Sequence, residues 1–138
     1  MELSKLRVRD VMTAKVQAVG PEDRLEDVHR MMQLAGFRHV PVVEQGKLVG
    51  VVSDRDIFGG WSGGGDTRID SVMTKVPRWI APEAMARDAA ALLLRHKIGC
   101  LPVVDAELRV VGIITETDFV AIAHRALLIQ EALAVGPS

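Results

Sequence analysis

The chain states nearly the same message twice. Gly50 to Ile57 reads GVVSDRDI and Gly112 to Phe119 reads GIITETDF, each following a Pro-Val-Val run (Pro41-Val42-Val43 and Pro102-Val103-Val104). The match extends further: Val11-Met12-Thr13 answers Val72-Met73-Thr74 and Pro21-Glu22 answers Pro82-Glu83, all 61 positions apart. Such a repeat constrains the fold more than any single residue, because each copy is one supersecondary unit that must bury its apolar face against the other. After Pro102 the spacing becomes 62, so one extra residue stands where Glu44-Gln45-Gly46-Lys47 faces Asp105-Ala106-Glu107-Leu108-Arg109. Turns absorb insertions of this kind.

With 138 residues, 49% of them apolar and 25% charged, the chain can bury a core of its own. A net charge of −1 with scattered basic residues argues against a nucleic-acid duplex as partner. The lone Cys100 excludes an intrachain disulfide and a Cys-rich metal cage. No apolar run reaches the roughly 18 residues that span a bilayer. Met1 to Lys5 leads into a charged segment without the apolar region of a signal peptide. A soluble cytoplasmic protein is expected.

Periodicity gives the order of elements. Lys15 to Val19 reads as a short strand, ended by Gly20-Pro21. From Asp23 onward Leu25, Val28, Met31, Met32 and Ala35 fall at helical spacing until Gly36. Val40–Val43 and Leu48–Val52 read as a hairpin, and Ser53 starts a second helix. The second copy repeats this: a strand near Arg78–Ile80, a helix near Met85–His96, strands Leu101–Val104 and Val110–Ile114, and a closing helix. Each unit is βαββα. Between them Gly59 to Asp66 holds five glycines in eight residues and reads as a loop or linker, with Trp61 either resting on the nearest apolar surface or covering a ligand. The boundaries that follow are 8–60 and 69–123 for the repeats, 61–68 for the linker and 124–138 for a C-terminal extension.

The chemistry sits where a strand hands over to a helix. Ser53-Asp54-Arg55-Asp56 and Thr115-Glu116-Thr117-Asp118 share S/T-x-x-D. One reading is a capping box, in which the hydroxyl accepts from the N3 amide and the acid reaches back to the cap amide. The other uses the same geometry as a nucleotide site: free N–H groups at the helix start suit a phosphate, and the carboxylate takes hydroxyl donors from a ribose.

On these residues the chain resembles a tandem pair of cystathionine-β-synthase (CBS) domains, the arrangement called a Bateman module, over roughly residues 8 to 123. The resemblance implies an α+β sandwich of two βαββα repeats packed through their sheets with pseudo-two-fold symmetry. It also implies two clefts for adenosine derivatives such as AMP, ADP, ATP or S-adenosylmethionine, a regulatory role toward a partner enzyme, transporter or channel, and frequent pairing into a homodimer. Carried over by position, the ribose-binding acid falls on Asp56 and Asp118 and the preceding hydroxyl on Ser53 and Thr115. Phosphate-reaching basic residues fall on Arg38 and His39 before Pro41, but on Gly99 and Cys100 before Pro102. The better phosphate cleft is therefore expected from Thr115, Thr117 and Asp118 with Arg38 and His39. The cleft of Ser53 and Asp56 is left to an uncharged adenosine, weak binding or vacancy. Arg55 either lends it a charge or pairs on the surface with Asp54 or Asp56. Val16 and Val76 are candidates to sandwich the adenine.

His29, His39, His96 and His124 show no metal-ligand spacing, and no nucleophile elbow is present, so catalysis is not expected. Cys100 reads as a small buried hydrophobe. A C-terminal helix is expected from about Glu116 to Ala134. Phe119, Ile122, Ala123 and Ala126 face the home repeat there, while Leu127, Leu128, Ile129 and Leu133 form a surface for self-association or fold back over the module. The reading is a stand-alone regulatory module with an adenosine nucleotide, with or without Mg2+, as its ligand and no catalytic cofactor. The alternative is a dimerisation scaffold with empty clefts.

Overall fold

The computed structural model describes residues 2–61, 66–75 and 78–134. The fold is α+β and made of two copies of one motif. Helix α1 (Val8–Val11) is followed by α2 (Leu25–Ala35), strands β1 (His39–Glu44) and β2 (Lys47–Ser53) and helix α3 (Asp54–Gly60). Strand β3 (Thr74–Lys75), helix α4 (Ala86–His96), strands β4 (Cys100–Val104) and β5 (Val110–Thr115) and helix α5 (Glu116–Ala134) complete the chain. Helix α2 buries Leu25, Val28 and Met32, and α4 buries Ala86, Ala89 and Leu93. Both stop on a left-handed residue, Gly36 in the first copy and Lys97 in the second.

The hairpins differ as the insertion requires. Glu44 pairs with Lys47 across Gln45 and Gly46, both at positive φ (51° and 79°), the two-residue turn that matches strand twist. In the second copy Asp105 N–H donates to the Arg109 carbonyl at 2.9 Å and Leu108 takes φ 65°, so the turn holds the extra residue and the strands keep their register.

Two expected elements are absent as strands. Lys15–Val19 and Arg78–Ile80 each contribute a single parallel bridge, Val19 to Val42 and Ile80 to Val103. The cause is proline. Val19 N–H donates to the Pro41 carbonyl and Val19 C=O accepts from Val43 N–H. The next rungs would need N–H groups from Pro41 on one side and Pro21 on the other, and proline has none. Pro102 and Pro82 stop the second ladder in the same way. The expected loop from Gly59 also begins later, because Gly59 and Gly60 form the last turn of α3, where a Cβ on Gly60 would collide with Val72.

The repeats exchange their leading segments. Val8 lies in the core built around Leu101, Val103 and Ile114 of the second copy, while Ile69 lies in the core of Val40, Val42, Val52 and Ile57 of the first. The backbone follows: Val8 N–H donates to Ala84 O (2.8 Å) and Ile69 N–H donates to Asp23 O (2.8 Å). Strand β3 adds to β2 through Gly50↔Lys75 and Val51↔Thr74, and Thr13 bridges Ile113. Glycine is needed at the crossing points. A Cβ at Gly50 would stand 2.5 Å from Met73 Sδ, and one at Gly112 would stand 2.6 Å from Met12 Sδ. The two sheets meet through Val51, Cys100 and Ile113, with Val16 packed against them.

Helix α5 runs over the expected residues, and Phe119 packs on the second core. None of its residues is fully buried, and Leu127 and Leu133 are 69% and 72% exposed, so its far half does not fold back over the module. Trp61 is half-exposed, with its ring edge-on to His29 at 5.4 Å. No helix among the described residues is long and apolar enough to cross a membrane.

Candidate functional site

Both S/T-x-x-D segments are caps. Ser53 N–H donates to Asp56 Oδ2 at 2.8 Å, and Asp56 N–H donates to Ser53 Oγ at 3.1 Å. In the second copy Thr115 N–H donates to Asp118 Oδ2 at 2.8 Å, and Thr115 Oγ1 donates to the same oxygen at 3.3 Å. Capping uses only one oxygen of each carboxylate. Oδ1 of Asp118 has a single long contact, 3.5 Å from Thr13 Oγ1. Among the described residues Oδ1 of Asp56 accepts no hydrogen bond. The capping and ligand readings of these acids are therefore compatible.

Two clefts flank the junction of the sheets. The larger, about 520 Å3, gathers Arg38 and His39 from the first copy with Thr115, Thr117 and Asp118 from the second, together with Thr13, Glu116 and Gly99. The smaller, about 360 Å3, is lined by Ser53, Asp56, Thr74 and Arg78 against an apolar wall of Val51, Ile98, Cys100 and Pro102. His39 and Gly99 line both. The symmetry reaches the backbone, since Asp54 N–H donates to Arg38 O (2.9 Å) and Glu116 N–H to Gly99 O (3.3 Å).

Burial lowers the pKa of His39 below the usual 6.5, outweighing the nearby carboxylates of Asp54, Asp56 and Glu116, and Arg38 pushes the same way as burial. The imidazole is therefore chiefly neutral at pH 7. Burial, helped by Asp56, pushes the Cys100 thiol up to about 12, so it is no nucleophile. No cluster of three His, Cys, Asp or Glu side chains that could hold a metal occurs among the described residues.

The remaining sequence candidates lie elsewhere. Arg55 is exposed, belongs to the lining of neither cleft, and forms no ion pair with Asp54 or Asp56. Val16 packs at the sheet junction, outside both linings. Val76 lies outside the described residues. Four polar lining residues escaped the sequence reading of the site: Thr13, Thr74, Glu116 and Arg78. Thr13 and Thr74 were visible as repeat partners, whereas Arg78 has Gln17 as its counterpart and carries no repeat signal.

The family model described as CBS domain matches residues 8–61 and again 69–125. The chain belongs to the CBS domain family. It is 38% identical to AcuB from Vibrio cholerae, whose structure superimposes with a TM-score of 0.79 over 91% of this chain and 96% of that one. CBSX2 in complex with AMP matches at 29% identity and TM-score 0.77, over 88% of this chain and 98% of that one. An inosine-5'-monophosphate dehydrogenase from Korarchaeum cryptofilum is 35% identical over 111 residues, which is 80% of this chain and 22% of the enzyme. The chain thus spans under a quarter of that relative, with one CBS pair.

Proposed function

We propose that this CBS pair is a regulatory module that binds an adenine nucleotide and has no catalytic activity. The observation that carries the reading is the larger cleft. It brings a cation (Arg38) and a chiefly neutral imidazole (His39) beside the start of a long helix, where two threonine hydroxyls and a carboxylate oxygen with only one long contact stand. Hydroxyl and amide donors with a guanidinium suit phosphate, and Asp118 Oδ1 suits the hydroxyls of a ribose. The likeness to CBSX2, a protein seen with AMP, supports the ligand class.

Each cleft takes residues from both copies, so a ligand contacts the two repeats at once and favours the relative orientation in which it binds best. A partner that senses this orientation would read ligand concentration. Self-association belongs to the same proposal. Leu34, Phe58, Leu94 and Val120 are 83%, 72%, 81% and 65% exposed on the helices, apolar surface that a second copy would cover.

A thermal-shift titration with AMP, ADP, ATP and S-adenosylmethionine tests the reading. A ligand at 100 times its Kd stabilises by about 2.7 kcal/mol, a readily visible rise in Tm. The absence of a shift with all four would favour the scaffold with empty clefts.

A further inference from the structure

We propose that the C-terminal end of α4, together with Arg78, is a docking surface for an acidic segment of a partner protein. The inference takes only the existence of a partner from the regulatory reading above.

Four basic side chains meet there. Arg95 and His96 close α4, Lys97 follows as its cap, and Arg78 comes from the segment before the helix. Desolvation first, then the charges of Arg78 and Arg95, lowers the pKa of His96 below the usual 6.5, and no carboxylate opposes them. Arg78 therefore stands close to the helix end. Arg78, Arg95 and Lys97 are exposed, and their side chains make no hydrogen bond or ion pair among the described residues.

The fold does not require these charges. At the matching positions of the first copy stand Gln17, Leu34, Ala35 and Gly36. A cation or two in a last turn complements the negative end of a helix, which accounts for Arg95 and His96. It does not account for Lys97, which takes φ 53° and ψ 45°, left-handed backbone for which the first copy uses glycine. The lysine is strained there without an ion pair in return, and strain of this kind marks functional positions. Nor does the helix end account for Arg78, whose charge is added where the field is already positive. Trp79, 47% exposed, follows Arg78 where the first copy has Ala18. Exposed tryptophan beside arginine is the composition of protein-binding hot spots. Carboxylates complement the patch, and arginine holds them in a fork of two hydrogen bonds. So few cations on a chain of net charge −1 do not track a nucleic-acid backbone.

NMR titration with a polyglutamate peptide of about ten residues tests the surface. The amide resonances of Arg95 and Lys97 and the indole N–H of Trp79 are expected to move, with affinity falling as salt rises. Lys97→Gly installs the residue of the first copy. It is expected to melt a few degrees above wild type and to bind the peptide about threefold more weakly. Arg95→Gln should weaken binding by a similar factor, and Lys97→Arg should keep it. Unchanged affinity in both Lys97→Gly and Arg95→Gln overturns the proposal, as do shifts spread evenly over the basic residues of the whole chain. Tighter binding of an oligouridylate of equal charge assigns the patch to single-stranded RNA, and a changed sedimentation coefficient in Arg95→Gln assigns it to a second copy. Either result overturns the proposal too. AMP added to the free protein and followed at Thr115 and Thr117 reads the nucleotide proposal separately, and silence there leaves the docking surface standing.

Discussion

His39 packs across the midline of the module against Gly99: a Cβ on Gly99 would stand 2.9 Å from Nε2 and 3.1 Å from Cε1 of the imidazole. Both residues line both clefts, so this contact is where a change in one cleft can reach the other.

Gly99→Ala should therefore act on binding more than on folding. The obstructing atoms are the far end of a rotatable side chain, so the ring can swing aside at a cost of about 1 kcal/mol. In swinging it changes the wall of both clefts. The expected result is a small drop in Tm with altered nucleotide affinity, measured by calorimetric titration. A large loss of stability with unchanged affinity would mean that the ring cannot move and that its position does not matter to the ligand.

The exchanged segments predict a pattern that a bead-on-a-string pair of domains would not give. Ile69 is fully buried in the core of the repeat that precedes it. Ile69→Ala should cost about 2–5 kcal/mol, the range for emptying a buried aliphatic site. Because Val8 does the same service in reverse, urea unfolding should stay a single transition in both Ile69→Ala and Val8→Ala. Two separated transitions would show that each copy is stable without the other's segment. Gly112→Ala, which drives a Cβ toward Met12 Sδ and to 2.9 Å from the Thr13 carbonyl, should cost about 1–3 kcal/mol through the same crossing.

The parts legible in the sequence are those governed by local rules. The hairpins, the caps at Ser53 and Thr115 and the span of α5 all follow from turn residues, periodicity and S/T-x-x-D. The first strand of each repeat reads as longer than it is because a short apolar stretch outweighs Pro21, Pro41, Pro82 and Pro102. Their missing N–H groups, also written in the sequence, reduce each ladder to one rung. The exchange of Val8 and Ile69 was not legible, since an apolar residue does not announce which of two similar cores it enters. The grouping of Arg38 and His39 with Thr115, Thr117 and Asp118 came from the repeat together with the family resemblance. Arg78 escapes the sequence reading because it stands at the edge of a strand-like stretch and its counterpart in the other copy, Gln17, carries no charge.

His39 makes stability depend on pH with a definite sign. Its pKa is lowered in the folded state, so as pH falls the unfolded chain takes up this proton first. The stabilisation is complete above the ordinary value of 6.5 and is lost as pH falls through the lowered folded value. Asp54, Asp56 and Glu116 face the ring and narrow this window, while Arg38 widens it. Urea midpoints measured from pH 7.5 down to 5.5 should fall more steeply in wild type than in His39→Gln. Parallel curves would place the titration elsewhere.

Asp118 holds a cap with one oxygen and offers the other to the cleft, and two substitutions separate these roles. Asp118→Ala removes both, so it should lower stability by about 1 kcal/mol, the usual worth of a cap, and weaken nucleotide binding. Asp118→Asn keeps a carbonyl oxygen that can accept from the Thr115 amide, now 2.8 Å from Oδ2, but puts an amide donor where Oδ1 stands. A ribose hydroxyl then meets a group that cannot accept its proton, while a phosphate no longer meets a negative charge. Asp118→Asn should therefore melt close to wild type and lose affinity for adenosine more than for inorganic phosphate. If both ligands weaken equally, Asp118 acts on the cleft only through the geometry of the helix start.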